Sequence, residues 1–283
     1  MIRKLIEVAS KGGNFLLNVG PTPEGRINPV EAERLEGIGR WMQRYGTAIY
    51  ETTAGPFRRL PFFGCCTQRG RTLYVHVFAL PEDGQLSLAG LKNEIVRAYP
   101  ASPQRQELVF LRGPQRALIL PGEGTDPVAS VFAVEVKGEP EVEDLVLGPD
   151  GEGVIELPAL YAEIRGQHGQ RASRASQEGR VYVGTWSNPD DVAVWDFYVP
   201  AEGSYAVELD ARLASKHTVG QRIEVAAGEQ KLLGKLGSDG VSLSGQVRLA
   251  KGMNTLSVKL PDAKRMQPPV LDLFGVTLMP VEH

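Results

Sequence analysis

Short apolar segments separated by glycine, proline and aspartate recur along most of this chain, and they restrict the folds that it can adopt. The chain contains 32 glycines and 20 prolines among 283 residues. Between residues 56 and 142, these segments follow one another at intervals of roughly 8–12 residues, which is typical of β-sandwiches. We predict a strand within Thr67–Leu80 after a turn at Arg69-Gly70, and further strands at Leu86–Leu88, Glu94–Tyr99, Leu108–Leu111, Ala117–Leu120 and Val131–Val136.

Residues 154–283 repeat this pattern and predict a second all-β domain. An acidic linker at residues 143–153 separates it from the first. Within the second domain we predict strands at Tyr161–Ile164, Val192–Val199, Gly203–Ala211, Gln221–Ala226, Gly245–Leu249, Asn254–Leu260 and Leu271–Leu278.

Residues 1–55 have a different pattern, a helix followed by a strand and a second helix. The first helix begins near Ile2 and should end at Lys11-Gly12-Gly13, where glycine allows the terminating geometry. Asn14–Val19 is a nearly continuous apolar run, typical of a strand buried on both faces of a parallel sheet. Asn28 is predicted to cap the second helix, which should end near Tyr45-Gly46. Together these form one βα unit preceded by the helix of the unit before it.

Composition excludes several classes of protein. A net charge of −3 gives no basic surface for nucleic acid or an anionic membrane. No apolar run approaches the roughly 18 residues of a bilayer span, and the amino terminus lacks the pattern of a secretory signal. The two cysteines, Cys65 and Cys66, are adjacent, which excludes a disulfide framework. We expect both to be reduced, with a strained vicinal disulfide as the alternative.

Three polar residues are candidates for a site at the mouth of a barrel. In a (β/α)₈ barrel the loops after the strands border the active site, and the loop at residues 20–25 carries one carboxylate, Glu24. It is either an acid/base group or a solvated loop residue. Asn14 and Asn18 flank the predicted strand and could bind a sugar or satisfy neighbouring backbone groups. Acid/base catalysis by carboxyl groups usually needs a pair of them, and this βα unit supplies no obvious partner for Glu24, so we assign no catalytic residue.

The second β domain offers candidates for carbohydrate binding. Trp186 lies in a loop-like segment beside Asn188, and an exposed indole near amides and carboxylates is suited to stacking on a sugar ring. Tyr182 is a weaker candidate, and Trp195, inside a predicted strand, is expected in the core. Glu163 and Asp272 occupy apolar strand contexts near the two ends of the domain. If these ends lie side by side, a Ca²⁺ ion between the carboxylates would relieve their repulsion; the alternative is two surface carboxylates without metal.

The histidines do not show the spacing of a metal or nucleophile site. We expect His76, His168, His217 and His283 to be ordinary surface histidines.

The amino-terminal part of the sequence resembles glycoside hydrolase family 29, the α-L-fucosidases. The resemblance rests on Ser10–Gly25, Ile38–Trp41 and Gly46–Thr52, and extends through Cys66-Thr67, Thr72–Phe78, Leu88–Leu91 and Asp126–Val128. Residues 154–283 look like a carbohydrate-binding module of the family 6 type, through Tyr161–Glu163, Val183–Trp186, Trp195–Phe197, Gly203–Tyr205 and Leu271-Asp272.

The resemblances imply a mainly β fold class: a remnant of the last βα unit of a (β/α)₈ barrel at residues 1–55, a β-sandwich at 56–142, and a β-jelly roll at 154–283. They place Glu163 and Asp272 near a structural Ca²⁺, and Trp186 near the ligand cleft. They also imply retaining hydrolysis of terminal α-linked fucose without a catalytic cofactor, by an aspartate nucleophile and a carboxylic acid/base. Both groups are expected before residue 1, so whether this chain alone is an enzyme stays open.

The expected partners are fucose-bearing or other glycans, and the expected location is extracellular or periplasmic. A lone parallel strand exposes unpaired edges. Residues 1–50 are therefore expected to dock on the sandwich, to be poorly ordered, or to associate with a chain that supplies the rest of the barrel or with a second copy. The alternatives to a fucosidase part are a non-catalytic carbohydrate-binding protein and a structural accessory protein.

Overall fold

The computed structural model describes residues 1–81, 83–102, 106–112, 117–119, 125–166, 172–215, 218–238, 240–264 and 270–281. The chain divides into two compact units, Met1–Leu145 and Val146–His283. Strands predominate in both units, which confirms the prediction of a mainly β fold. None of the helices formed by the described residues is long and apolar enough to cross a membrane.

The helices of the first unit begin and end where the sequence predicted. Helix α1 covers Ile2–Ser10, α2 covers Pro29–Tyr45, and a 3₁₀ helix follows at Gly46–Ala48. After α1 the chain turns through Gly12, whose φ of 72° favours glycine. Asn28 Oδ1 accepts a hydrogen bond of 3.0 Å from the Val30 N–H, so the predicted cap is formed.

The strands of the first unit form two antiparallel sheets. A five-stranded sheet has the order β1-β2-β3-β8-β5, and a three-stranded sheet has the order β4-β7-β6. The strands are β1 (Thr53–Ala54), β2 (Gly64–Arg69), β3 (Thr72–Val77), β4 (Gln85–Ser87), β5 (Ile95–Pro100), β6 (Phe110–Leu111), β7 (Ala117–Ile119) and β8 (Ser130–Val136). Leu73 and Val134 on the larger sheet share one buried core with Leu86 and Leu118 on the smaller.

Asn14–Val19 is not a strand in the structure, contrary to the prediction. The segment belongs to no sheet within the described residues. Phe15 and Leu17 are partly buried, whereas Leu16 is 85% exposed. The run is apolar enough for a strand buried on both faces, but a strand also needs neighbours for its main-chain hydrogen bonds, and only a sheet can supply them.

The two helices dock on the β-structure of the first unit, one of the three outcomes expected for this segment. The Arg3 guanidinium donates to the carbonyl groups of Phe78 at 2.9 Å and Val128 at 2.8 Å. From α2, the buried Trp41 indole N–H donates to the Ala129 carbonyl at 3.2 Å. Both helices are thus attached to the β-structure by hydrogen bonds from their side chains to main-chain carbonyl groups.

The second unit is built from twelve strands within the described residues. They are β9 (Ile155–Pro158), β10 (Glu163–Arg165), β11 (Ser173–Gln177), β12 (Arg180–Gly184), β13 (Val192–Val199), β14 (Gly203–Leu213), β15 (Arg222–Ala227), β16 (Gln230–Gly237), β17 (Gly240–Ser242), β18 (Gln246–Leu249), β19 (Gly252–Lys259) and β20 (Leu271–Pro280). A 3₁₀ helix at Ala159–Tyr161 replaces the start of the strand predicted at Tyr161–Ile164.

The second unit has two facing sheets with a single core. One has the order β10-β13-β19-β15-β16-β17, and the other β11-β12-β20-β14-β18 with β9 beside β20. From β12 to β15 the chain passes from one sheet to the other at every strand, and it does so again from β17 to β20, an arrangement typical of jelly rolls. Trp195 and Phe197 from the first sheet meet Leu271 and Leu273 from the second in the core. The prediction that Trp195 is a core residue is confirmed.

Candidate functional site

The three candidates for a barrel mouth, Asn14, Asn18 and Glu24, are all exposed. The loop that carries Glu24 is held by a hydrogen bond of 2.8 Å from the Gly25 N–H to the Thr22 carbonyl. Their roles in sugar binding or acid/base chemistry stay predictions.

Next to these residues lies an apolar cleft with a volume of about 260 Å³. It is bounded by α1, α2 and the segment at residues 14–19. Its walls are formed by Met1, Ile2, Leu5, Phe15, Leu17, Ile38, Met42, Ile49 and Tyr50. The cleft offers no charged side chain, so it is suited to apolar packing and not to acid/base chemistry.

Trp186 is a buried residue, which corrects the expectation of an exposed indole. Its side chain is 0% exposed and lies in the core of the second unit. The indole N–H donates to the Asp191 carbonyl at 3.1 Å, and the Trp186 carbonyl accepts from the Val270 N–H at 3.3 Å. The loop-like sequence around Trp186 did not predict this burial, because the segment folds inward. In this position the ring is not accessible to a sugar.

Asn188 is also buried, beside the equally buried Asp191. Its side-chain amide donates to Asp191 Oδ1 at 3.4 Å, and Asp191 Oδ2 accepts from the Ala172 N–H at 2.6 Å. The group satisfies main-chain donors of the loop, as buried polar residues usually do. The predicted contact between Asn188 and a ligand therefore has no support in its position.

Tyr182 is the accessible member of the predicted carbohydrate-binding set. It lies on β12 and is partly exposed, with its ring centroid 5.6 Å from that of Phe274 on β20. Phe274 and the two arginines beside it, Arg180 and Arg212, were not among the residues that the sequence predicted for this site. The alternation of Leu271, Asp272, Leu273 and Phe274 would have placed Phe274 on the outer face of its strand.

Glu163 and Asp272 do not lie side by side. Glu163 is on β10 in one sheet and Asp272 is on β20 in the other. Each has an arginine partner: Arg165 is 2.7 Å from Glu163, and Arg212 is 3.1 Å from Asp272. The strands that pair with β20 are β9, β12 and β14, and β10 is not among them, so the expected meeting of the two carboxylates does not occur. This geometry does not favour a shared cation, and the Ca²⁺ ion stays a prediction.

Metal binding has no other support in the side-chain geometry. Within the described ranges, no cluster of three or more His, Cys, Asp and Glu side chains is arranged around a common point.

His76 is buried on β3, which corrects the expectation of a surface histidine. Its Nε2 lies 3.1 Å from Thr67 Oγ1, and Trp41 stacks at a centroid distance of 6.4 Å. Burial lowers the pKa of His76 to about 3. Cys65 and Cys66 are buried on β2 as thiols and not as a disulfide, in agreement with the expectation that both are reduced. Burial raises the pKa of the Cys66 thiol well above its usual range. His168, His217 and His283 lie outside the described residues.

The start of the chain is similar in sequence to one family of known proteins. Residues 1–47 match the family model described as alpha-L-fucosidase. The chain is 30% identical over 144 residues to tissue alpha-L-fucosidase of Rattus norvegicus, a match that covers 48% of this chain and 31% of the rat protein. It is 39% identical over 88 residues to the Bos taurus protein of the same name, covering 31% of this chain and 19% of the bovine one. The chain thus spans less than a third of these relatives.

A solved structure matches both units. The alpha-L-fucosidase from Vibrio sp. strain EJY3 aligns with 99% of this chain and 50% of its own length, at 23% identity and a TM-score of 0.56. At this identity the likeness shows the fold alone. Part of this chain, including residues 1–47, is therefore similar in sequence to α-L-fucosidases, and its mainly β fold is similar to that of half of a bacterial α-L-fucosidase.

Proposed function

We propose that this chain forms the carboxyl-terminal part of a retaining α-L-fucosidase that hydrolyses terminal α-L-fucosides of glycans. The sequence matches to α-L-fucosidases support the enzyme class. Residues 1–55 then belong to the last βα unit of the catalytic barrel, and the rest of the barrel supplies the catalytic carboxylates.

The observation that carries the proposal is the unpaired apolar segment at residues 14–19. It belongs to no sheet within the described residues, and its Leu16 is 85% exposed. Leaving a leucine in water forgoes about 1.5–3 kcal/mol of burial free energy. A barrel strand with neighbours on both sides would satisfy the main chain and bury this side chain. The apolar cleft beside it is suited to the same packing.

The chemistry of retention requires a nucleophilic carboxylate and a second carboxyl group that acts first as acid and then as base. Glu24 is the carboxylate of the loop after residues 14–19, and one group cannot fill both roles. We therefore place the nucleophile and the acid/base in the barrel portion. This chain would complete the barrel wall and border the sugar with Asn14, Asn18 and Glu24.

A covalent label tests the proposal. The active fucosidase that contains this chain is incubated with 2-fluoro-fucosyl fluoride, which traps the glycosyl-enzyme intermediate, and digested for peptide mass spectrometry. We expect the label on a carboxylate outside these 283 residues. The purified chain alone should release no nitrophenol from nitrophenyl α-L-fucoside. A fucosylated carboxylate on Glu24, or hydrolysis by the chain alone, would contradict the assignment.

For the second unit we propose a carbohydrate-binding role, similar to that of family 6 modules. Two facing sheets that exchange strands are one architecture of glycan-binding domains. The partly exposed pair Tyr182 and Phe274 favours this role over that of a purely structural accessory. Binding of the chain to a glycan array without hydrolysis would support it, and an array without any bound glycan would leave the accessory role.

A further inference from the structure

A cluster of aromatic and charged side chains lies on the outer face of the sheet β11-β12-β20-β14-β18. We name it the aromatic–arginine face, and it consists of Arg180, Tyr182, Asp210, Arg212, Asp272 and Phe274. The rings of Tyr182 and Phe274 are 5.6 Å apart at an interplanar angle of 52°. The Arg180 guanidinium lies 4.4 Å from the Phe274 centroid and that of Arg212 lies 5.9 Å away, within the range of cation–π contacts.

Strand alternation explains why these side chains point away from the core. Val183 on β12 and Leu273 on β20 are fully buried on the inner face, so Tyr182, Asp272 and Phe274 face outward. Arg180 and Arg212 are 58% and 51% exposed. Two partly exposed aromatic rings thus lie on the outer face of the sheet. Folding of the monomer does not require aromatic side chains at these positions.

Phe274 occupies an irregular point of the sheet. The pairing of β14 with β20 shifts register between Asp210 and Ala211, which face Gly275 and Leu273, so Phe274 is the extra residue of a bulge. On its other edge β20 changes partner here, from β9 at Gly275 to β12 at Leu273. Such bulges reorient side chains and are frequent beside binding sites.

Gly184 allows the aromatic ring to lie close to the sheet. A Cβ atom at this position would be 2.6 Å from the ring of Tyr182 and 3.0 Å from Asp272 Oδ1. The ring therefore packs against the glycine beside Asp272, and Tyr182 remains partly exposed. Asp272 is only 14% exposed and is held by Arg212 at 3.1 Å.

The charges of the face are arranged in pairs. Arg180 pairs with Asp210 and Arg212 with Asp272, so the formal charges cancel. Arg212 also donates to the side-chain carbonyl of Gln177 at 2.7 Å. Paired guanidinium and carboxylate groups offer adjacent donors and acceptors, which suits neighbouring sugar hydroxyl groups better than a net anion or cation.

We propose that the aromatic–arginine face binds a neutral oligosaccharide. A sugar C–H face packs on Tyr182 and Phe274, while Arg180, Asp210 and Asp272 form hydrogen bonds with its hydroxyl groups. This inference rests on the proposed carbohydrate-binding role of the second unit and assigns its site, in place of the buried Trp186 and Asn188.

Titration with lactose and 2′-fucosyllactose, followed by saturation-transfer NMR and calorimetry on the full chain, tests the site. We expect Phe274→Ala and Tyr182→Ala each to weaken binding at least about tenfold, since such aromatic contacts dominate binding sites. The matched control is Tyr198→Ala, which removes an exposed tyrosine from the other sheet. It should leave affinity unchanged. Phe274→Tyr should retain binding, and circular dichroism checks that each variant is folded.

The outcomes separate the site from the function. Loss of binding in the two alanine variants, with Tyr198→Ala unaffected, supports the face. Equal affinity in wild type and both alanine variants overturns the face and leaves the carbohydrate-binding role intact. A glycan array without any glycan bound by the wild type overturns the role and the site together. Affinity that falls steeply between low and high salt would overturn the neutral ligand, because a neutral sugar is not screened.

Discussion

At the residue scale, His76 shows how one buried side chain connects two parts of the first unit. The Thr67 hydroxyl donates to the Ala48 carbonyl at 2.6 Å, so Thr67 Oγ1 accepts from His76 Nε2–H at 3.1 Å. His76 Nδ1 is then the unprotonated nitrogen, and it is buried without a hydrogen-bond partner in the described structure. The ring is neutral in the folded state.

His76 should make the first unit less stable in acid. Its pKa is about 3 when folded and about 6.5 when unfolded, so unfolding takes up a proton between these values. The free energy of unfolding therefore falls as the pH falls below about 6.5, by about 2 kcal/mol at pH 5. Hydrogen exchange of peptides from β2 and β3, corrected for intrinsic rates at each pH, measures this change.

The control for this prediction is His76→Gln, which keeps a polar side chain that does not titrate. Other groups also titrate in this range, so the difference between the two slopes isolates His76. Parallel pH profiles for wild type and variant would show that His76 contributes nothing.

At the element scale, the hairpin of β2 and β3 depends on the absence of one side chain. A Cβ atom at Gly64 would lie 1.9 Å from the His76 carbonyl oxygen and 2.9 Å from the ring of Phe62. The carbonyl belongs to the main chain of the partner strand, which cannot move without breaking the pairing of Gly64 with Val77.

We expect Gly64→Ala to lower the free energy of unfolding of the first unit by at least about 2 kcal/mol, because the strands must separate to admit the methyl group. Gly39→Ala is the matched control, since Gly39 lies within α2 and a Cβ there meets nothing within 4 Å. It should raise stability by up to about 1 kcal/mol through helix propensity. Urea denaturation of both variants measures the two changes, and equal midpoints would refute the steric argument.

The sequence predicted elements unequally well. The end of α1 and the start of α2 could be predicted, because the effects of Gly12 and Asn28 depend only on residues adjacent in sequence. Strand β13 at Val192–Val199 matches its prediction because the apolar run is long. Strands β11 and β16 were missed, since Ser173–Gln177 is polar and Gln230–Gly237 contains two glycines. Their neighbours in the sheet, and not their own residues, stabilise them as strands.

At the scale of the whole molecule, Leu16 is exposed in this chain but is proposed to be buried in a complete barrel. A substitution at this position should therefore affect the two proteins differently. Leu16→Lys should change the chain's own free energy of unfolding by less than about 0.5 kcal/mol, because the side chain is already in water. In a fucosidase that contains the whole barrel, the same substitution should abolish hydrolysis of nitrophenyl α-L-fucoside, since a buried unpaired charge costs several kcal/mol.

Leu233→Lys, at an exposed leucine of the second unit, serves as the control and should leave both properties unchanged. Full activity of a barrel-containing Leu16→Lys enzyme would place residues 14–19 outside the barrel wall and remove the main support for the proposed function.

The sequence by itself determined the mainly β character, both helices and the likeness to α-L-fucosidases, because these depend on local spacing and on contiguous residues. The tertiary structure alone decided which side chains are accessible. Trp186 and Asn188 are in a loop-like sequence and yet are buried, while Phe274, in an apolar strand, is partly exposed. Burial depends on which residues distant in sequence pack against a side chain, and short-range patterns do not contain that information.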